Sequence, residues 1–144
     1  MKAYEKLEAW QACHRLVLAV YVASRKWPPD ERFGLIAQAR RAAFSAAANI
    51  AEGSAKRGHR EFRRFLDTAL GSLAELSYII LLTRELGYLQ EESASALESV
   101  RDKAGRLTWG LLPMFRKGSD RLSHRHTATP PDRPHRIDRS AASP

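Results

Sequence analysis

Seven basic side chains lie between Gln38 and Arg64 against two acids, Glu52 and Glu61, and this stretch carries +5 of the chain's formal net charge of +8. Arg40 and Arg41 come first, then Asn49-Ile50-Ala51-Glu52-Gly53, then Lys56, Arg57, Arg60, Arg63 and Arg64. Guanidinium and ammonium groups at this density suit one chemistry above others, the binding of phosphate. Arg60 and Arg64 stand four residues apart, a like-charge spacing that weakens a free helix by a few tenths of a kcal/mol (roughly). They also stand near a helix start, where the backbone already presents positive charge. An anion bound between them removes both penalties. The bland alternative is a solvated face in which Arg63 pairs with Asp67 at i+4 and the remaining charge maintains solubility.

Catalytic chemistry finds little support. His14 lies on an apolar stripe between Trp10 and Val17, the setting of a hydrogen-bonded core or interface histidine. His124, His126 and His135 lack helical spacing and cysteine companions, so no metal site is expected. There is no Gly-rich phosphate loop, no His-Glu-x-x-His and no legible Ser/His/Asp arrangement. The expectation is a protein that is not an enzyme and needs no cofactor. Cys13, the single cysteine, reads as a small buried apolar side chain in a reducing compartment.

The elements that position the basic residues follow from apolar periodicity. Leu7, Trp10, Val17 and Tyr21, flanked by Cys13, Leu16 and Val20, predict a first helix that runs to Trp27 and stops at Pro28-Pro29. A second helix is predicted from about Asp30, its N-cap, to about Ser54, with Phe33, Ile36, Ala43, Phe44, Ala47, Ile50 and Ala51 on its core face. Leu35, Ala39, Ala42 and Ala46 flank that face, so the helix is apolar around most of its girth and is expected to contact another subunit as well. Gly53 and Gly58 bracket a turn. A third helix then runs to about Leu86 with Phe62, Phe65, Leu66, Ala69, Leu73, Leu76 and Ile80 inward, and the all-round apolar run 78–82 hints at a second packing surface. A fourth, roughly Glu91 to Phe115, buries Ala94, Leu97, Val100, Ala104, Leu107, Leu111 and Met114, with Pro113 bending or fraying its end.

Four long helices joined by short connections predict an all-α, up-down-up-down antiparallel four-helix bundle over residues 1–117. After Lys117 only Leu122 and Ile137 are large and apolar, so 118–144 is expected to be a disordered basic tail. With 44% apolar and 28% charged residues the composition is that of a soluble domain. No uninterrupted apolar run reaches the length of a membrane span, and the first residues lack a signal-peptide core. A cytoplasmic protein without membrane contact is expected.

Within the bundle Arg40 falls in the middle of the apolar face of the second helix, so it is expected to be a buried ion that fixes helix register, paired with Glu75 or with an acid of another subunit. Arg41 points to the side of Ser45, Ala48 and Glu52 and joins Lys56, Arg57, Arg60, Arg63 and Arg64 as a candidate nucleic-acid contact. Nothing separates RNA from DNA, and no base-reading module is present, so recognition would rest on phosphates and shape.

The ordered motifs Leu7-Glu8-Ala9-Trp10-Gln11, Gly34-Leu35-Ile36-Ala37-Gln38-Ala39-Arg40-Arg41-Ala42-Ala43, Asn49-Ile50-Ala51-Glu52-Gly53, Arg64-Phe65-Leu66, 69–76 and Leu86-Gly87-Tyr88-Leu89 carry a resemblance. Over about residues 4–117 the chain resembles the bacterial four-helix bundle proteins encoded in intervening sequences of 23S ribosomal RNA genes, the S23-type proteins. The resemblance implies a ring-like homopentamer with no established catalytic activity. It further implies kinship with the accessory variability determinants of diversity-generating retroelements, which bind nucleic acid and a reverse transcriptase through a basic surface. Arg40, Arg41, Asn49, Glu52, Gly53 and Glu75 are the matching polar or glycine positions, and structural roles are expected for all but Arg41. Asn49 and Glu52 are expected to satisfy turn amides and Gly53 to give a permissive backbone. Ala46 and Ala55 replace larger or more polar residues common in such proteins. The expected function is non-catalytic nucleic-acid binding by a homo-oligomer; the alternative is a protein-protein adaptor whose charge is incidental.

Overall fold

The computed structural model describes residues 1–123, with side-chain surroundings for residues 1–112. After a single 3-10 turn at Ala3–Lys6, four helices follow: α1, Glu8–Ser24; α2, Leu35–Ser54; α3, His59–Glu85; and α4, Glu91–Ser123. Successive helices pack side by side and α1 also packs on α4, which closes a square, antiparallel bundle. Among the described residues there is no strand.

Small residues decide which way each helix faces. In α1 the buried positions are Ala9, Ala12, Cys13, Leu16, Val20 and Ser24. The expected stripe of Leu7, Trp10, Val17 and Tyr21 is rotated toward the rim, where Tyr21 is 41% exposed. Trp10 sits edge-on to Tyr4 and stacks on His14 at a centroid distance of 4.9 Å. His14 is therefore an exposed partner of a rim aromatic and not a core histidine, the first of the two settings expected for it. Rings with a polar edge favour such margins, because one side can be apolar while the other meets water.

The second helix differs from expectation in both start and face. Residues Pro29–Glu31 form a 3-10 turn, and Asp30 is exposed and caps nothing. Glu31 takes the role, its Oε2 accepting from the amide of Leu35 at 2.8 Å, while Tyr88 donates to its Oε1 at 3.4 Å. One carboxylate thus ties the start of α2 to the α3–α4 loop. The buried positions of α2 are Ala39, Ala42, Ala43, Ala46, Ala47, Ile50 and Gly53. Phe33 and Phe44, predicted to be inside, are exposed. Alanines let α1 and α3 approach closely along most of α2, and a phenyl ring there would hold them apart.

Most of the predicted faces of α3 and α4 are inside: Leu66, Ala69, Leu73, Leu76 and Ile80 are buried on one and Ala94, Leu97 and Ala104 on the other. Phe62, Phe65, Val100, Leu107 and Leu111 are half-buried, and Ile79 is buried outside the expected face. The expectation for Met114 lies outside the described side chains. Helix α3 is long and apolar enough to cross a membrane by length and composition, but it is here the third wall of the bundle. At its end Gly87 adopts φ 78°, and the amides of Tyr88 and Leu89 both donate to the carbonyl of Thr83. Helix α4 continues through Pro113 to Ser123, beyond the expected end at Phe115. A fall in apolar content marks where burial stops, and a helix can run past that point. The tail expectation for 124–144 lies outside the described residues.

Candidate nucleic-acid interface

The basic corner is built on a close crossing of α2 and α3. Gly53 is buried in the last turn of α2, and a Cβ there would meet Phe62 Cδ2 and Phe65 Cβ, each at 2.7 Å. Its role is to let two backbones approach, not to supply an unusual backbone conformation. The chain leaves α2 through two amide contacts, Ala55 to the carbonyl of Glu52 and Lys56 to that of Gly53, both at 3.1 Å. Gly58 then turns at φ 96°, a region costly for any residue with a Cβ, and stands as the N-cap of α3. The glycine at the N-cap has no side chain of its own to offer the first turn.

Lys56, Arg57, Arg60 and Arg64 are exposed around that turn, and Arg63 is half-buried. Lys56 Nζ lies 5.7 Å from the centre of the Phe65 ring. Arg64 Nη1 reaches Glu61 Oε1 at 3.5 Å, an exposed pair that adds little to stability. The Arg63–Asp67 pair of the bland reading does not form, because Asp67 projects outward while Arg63 turns partly inward. Asn49, Lys56, Glu61, Arg64, Phe65 and Thr68 line a shallow depression of about 300 Å³ on this surface. Four exposed cations beside the positive end of a helix form an arrangement that an anion relieves.

The other singled-out positions fall elsewhere. Arg40 has no carboxylate partner among the described residues: its Nε donates to Ser24 Oγ at 2.9 Å and its guanidinium covers the Tyr21 ring at 4.5 Å. Glu75, the expected partner, is exposed on the outer side of α3. A half-buried guanidinium stacked on an aromatic keeps some water contact and needs no buried counter-ion. Arg41 is exposed and its Nη1 donates to Gln38 Oε1 at 2.8 Å. It stands roughly 20 Å along α2 from Lys56, at 1.5 Å per residue, so it does not belong to the corner.

Asn49 does not reach the turn. Its Nδ2 donates back along α2 to the carbonyl and the hydroxyl of Ser45, at 2.7 and 3.0 Å. Ser72 Oγ of α3 in turn donates to Ser45 Oγ at 2.9 Å, giving a polar rung between the two helices. Glu52 is exposed, and its backbone carbonyl, not its carboxylate, receives the turn amide. Sequence reasoning passed over Glu31 and Ser72, and it foresaw neither the hydrogen bonds of Ser45 nor the stacking of Tyr21 with Arg40. An acid four residues before the first apolar residue of a helix was the available signal for Glu31; the others depend on partners distant in the sequence.

Among the described residues two titratable groups are displaced from their ordinary values. Burial pushes the Cys13 thiol up to about 11, with Thr108 Oγ1 at 3.7 Å pulling the other way. Burial and then the Glu31 carboxylate raise the Tyr88 phenol. Neither adjoins the corner. Among the described residues no three His, Cys, Asp or Glu side chains converge as a metal site.

Comparisons with known proteins agree on family and fold. No curated protein matches the chain. Among solved structures it is similar to a protein of unknown function from the S23 ribosomal protein family of Bacteroides thetaiotaomicron VPI-5482. The two superpose with a TM-score of 0.68 at 17% identity, covering 72% of this chain and 97% of the other, a likeness of fold. Residues 5–110 match the 23S rRNA-intervening sequence protein family across the four helices and the basic corner, and the chain belongs to that family.

Proposed function

We propose that the chain is a non-catalytic, self-associating cytoplasmic bundle that binds nucleic acid through the corner formed by Lys56, Arg57, Arg60, Arg63 and Arg64. The observation that carries this reading is the cluster of exposed cations around the start of α3, with one weak ion pair among the described members, Arg64 to Glu61. A phosphate backbone supplies a run of anions that meets several such cations at once. On this reading the chain works as the accessory variability determinants of retroelements do, with nucleic acid held on a basic surface.

Self-association, five-fold by family resemblance, is supported by apolar residues that the single bundle leaves in water. Leu18 and Val22 are more than half exposed beside a groove of about 730 Å³ between α1 and α4, and Tyr78 and Leu81 are exposed on α3. Repetition of the corner around a ring would turn weak phosphate contacts into useful avidity. The same groove favours a competing reading, a protein adaptor in which the charge is incidental.

The deciding experiment measures binding to a structured RNA and a DNA duplex with wild type and with a variant carrying Arg57→Glu, Arg60→Glu and Arg64→Glu. These positions are exposed, so the variant should keep its helical circular dichroism while losing most of its affinity. Equal binding by both proteins would reject the corner. Light scattering over a range of concentrations tests assembly separately, and a monomer throughout would reject it.

A further inference from the structure

A second cluster, on the α1–α2 face away from the corner, is accounted for neither by the core nor by the corner. Phe33 is 88% exposed and Phe44 62% exposed, and Tyr21 lies beside them. Three arginines stand among these rings. Arg32 lies over Phe33 at 5.4 Å, Arg40 over Tyr21 at 4.5 Å, and Arg41 is held at its tip by Gln38. The six side chains line an open depression of about 410 Å³.

The arginines of this cluster outnumber the two nearby carboxylates, Asp30 and Glu31. None of the three arginines forms an ion pair with a described residue, and the neighbouring Glu31 carboxylate is engaged by the Leu35 amide and the Tyr88 hydroxyl. A second copy docking by this same face would set three further arginines against it, so like-charge repulsion opposes an isologous contact here. A guanidinium stacked on a ring keeps its edge donors for phosphate oxygens. Open aromatic faces accept flat rings, and every nucleobase has one. A duplex hides those base faces within its own stack, whereas a single strand presents them together with its phosphates.

We propose that this face binds a single-stranded stretch of nucleic acid, with bases stacked on Phe33 and Phe44 and phosphates on Arg32, Arg40 and Arg41. The proposal rests on the nucleic-acid reading of the corner only in assigning both surfaces to one class of partner. The corner meets the backbone of any form, and the aromatic face selects unpaired segments.

The test is fluorescence anisotropy with labelled oligouridine and oligothymidine of roughly 12 nucleotides, a length within the range that such stacking surfaces cover, beside a duplex of matched length. Phe33→Ala with Phe44→Ala should weaken single-strand binding about tenfold or more, the scale of lost base stacking, and leave duplex binding within twofold. Phe33→Leu with Phe44→Leu keeps apolar area without a ring and should show the same loss. Retention of single-strand affinity by either variant would overturn the proposal. So would dissociation of the assembly with unchanged affinity, which would make the face a protein contact. The two surfaces fail separately: loss of duplex binding in the corner variant with no effect of the phenylalanine changes rejects this proposal alone. Single-strand binding that survives the corner variant but not the phenylalanine changes supports this face, and it rejects the corner as well where duplex binding is also unchanged in the corner variant.

Discussion

Gly53 of α2 stands so close to Phe65 of α3 that a Cβ added to the glycine would lie 2.7 Å from the Cβ of the phenylalanine. That neighbour is fixed to its own backbone and cannot swing aside. Gly53→Ala therefore forces the helices apart at the root of the basic corner. The gain of about 1 kcal/mol in helix propensity is outweighed by overpacking, which costs about 1–3 kcal/mol and here includes a second contact with the Phe62 ring. The expected outcome is a net loss of about 1 kcal/mol, read as a lower urea midpoint with unchanged slope. A raised midpoint would show that the crossing has room to relax.

Arg40 gives a second prediction because its partners are a hydroxyl and a ring. Arg40→Ala should cost about 1–2 kcal/mol, combining one hydrogen bond with one cation–π contact. Ser24 is not orphaned, since its hydroxyl also donates to the carbonyl of Tyr21 at 3.3 Å. Glu75→Ala should leave stability within about 0.5 kcal/mol, as befits an exposed side chain. Paired urea titrations check both, and a large loss for Glu75→Ala would restore the ion pair expected from the sequence.

How much of this was legible in the sequence depended on whether the cause was local. Periodicity gives α3 and α4 their faces because Leu66, Leu73, Leu76 and Leu97 recur at helical spacing and their burial needs no knowledge of the neighbour. For α2 the same method chose Phe33 and Phe44 over Ala39 and Ala46, since hydrophobicity scales weigh size, whereas the space between three crowded helices admits alanine. Arg40 was assigned a carboxylate because a guanidinium on an apolar stripe seemed fully buried; the face is rotated, and it lies at the rim beside Tyr21. The cations of the corner were legible as a run, but only the fold separates Arg41 from them.

Cys13 predicts a pH dependence. Its thiol titrates near 9.0 in an unfolded chain and at about 11 in the folded one. Between those values the unfolded chain releases a proton that the folded chain keeps, so the unfolded form gains and stability falls as pH rises. The loss is complete above the folded value and amounts to about 3 kcal/mol at 1.36 kcal/mol per pH unit. Urea midpoints from pH 8 to about 11 for wild type and Cys13→Ala should differ in slope, the variant declining less. Parallel declines would show that the thiol ionises as readily folded as unfolded.

The central claim, that the α2–α3 corner contacts phosphates, is tested most directly by the salt dependence of binding to a duplex short enough to meet one corner. Five cations on five phosphates predict a slope of about −4.5 in log K against log salt for duplex DNA. Neutralising three with Arg57→Gln, Arg60→Gln and Arg64→Gln should make that slope shallower by about 2.7, with the bundle still folded. A slope unchanged by the three substitutions would contradict the account, since the phosphates would then be held by other residues.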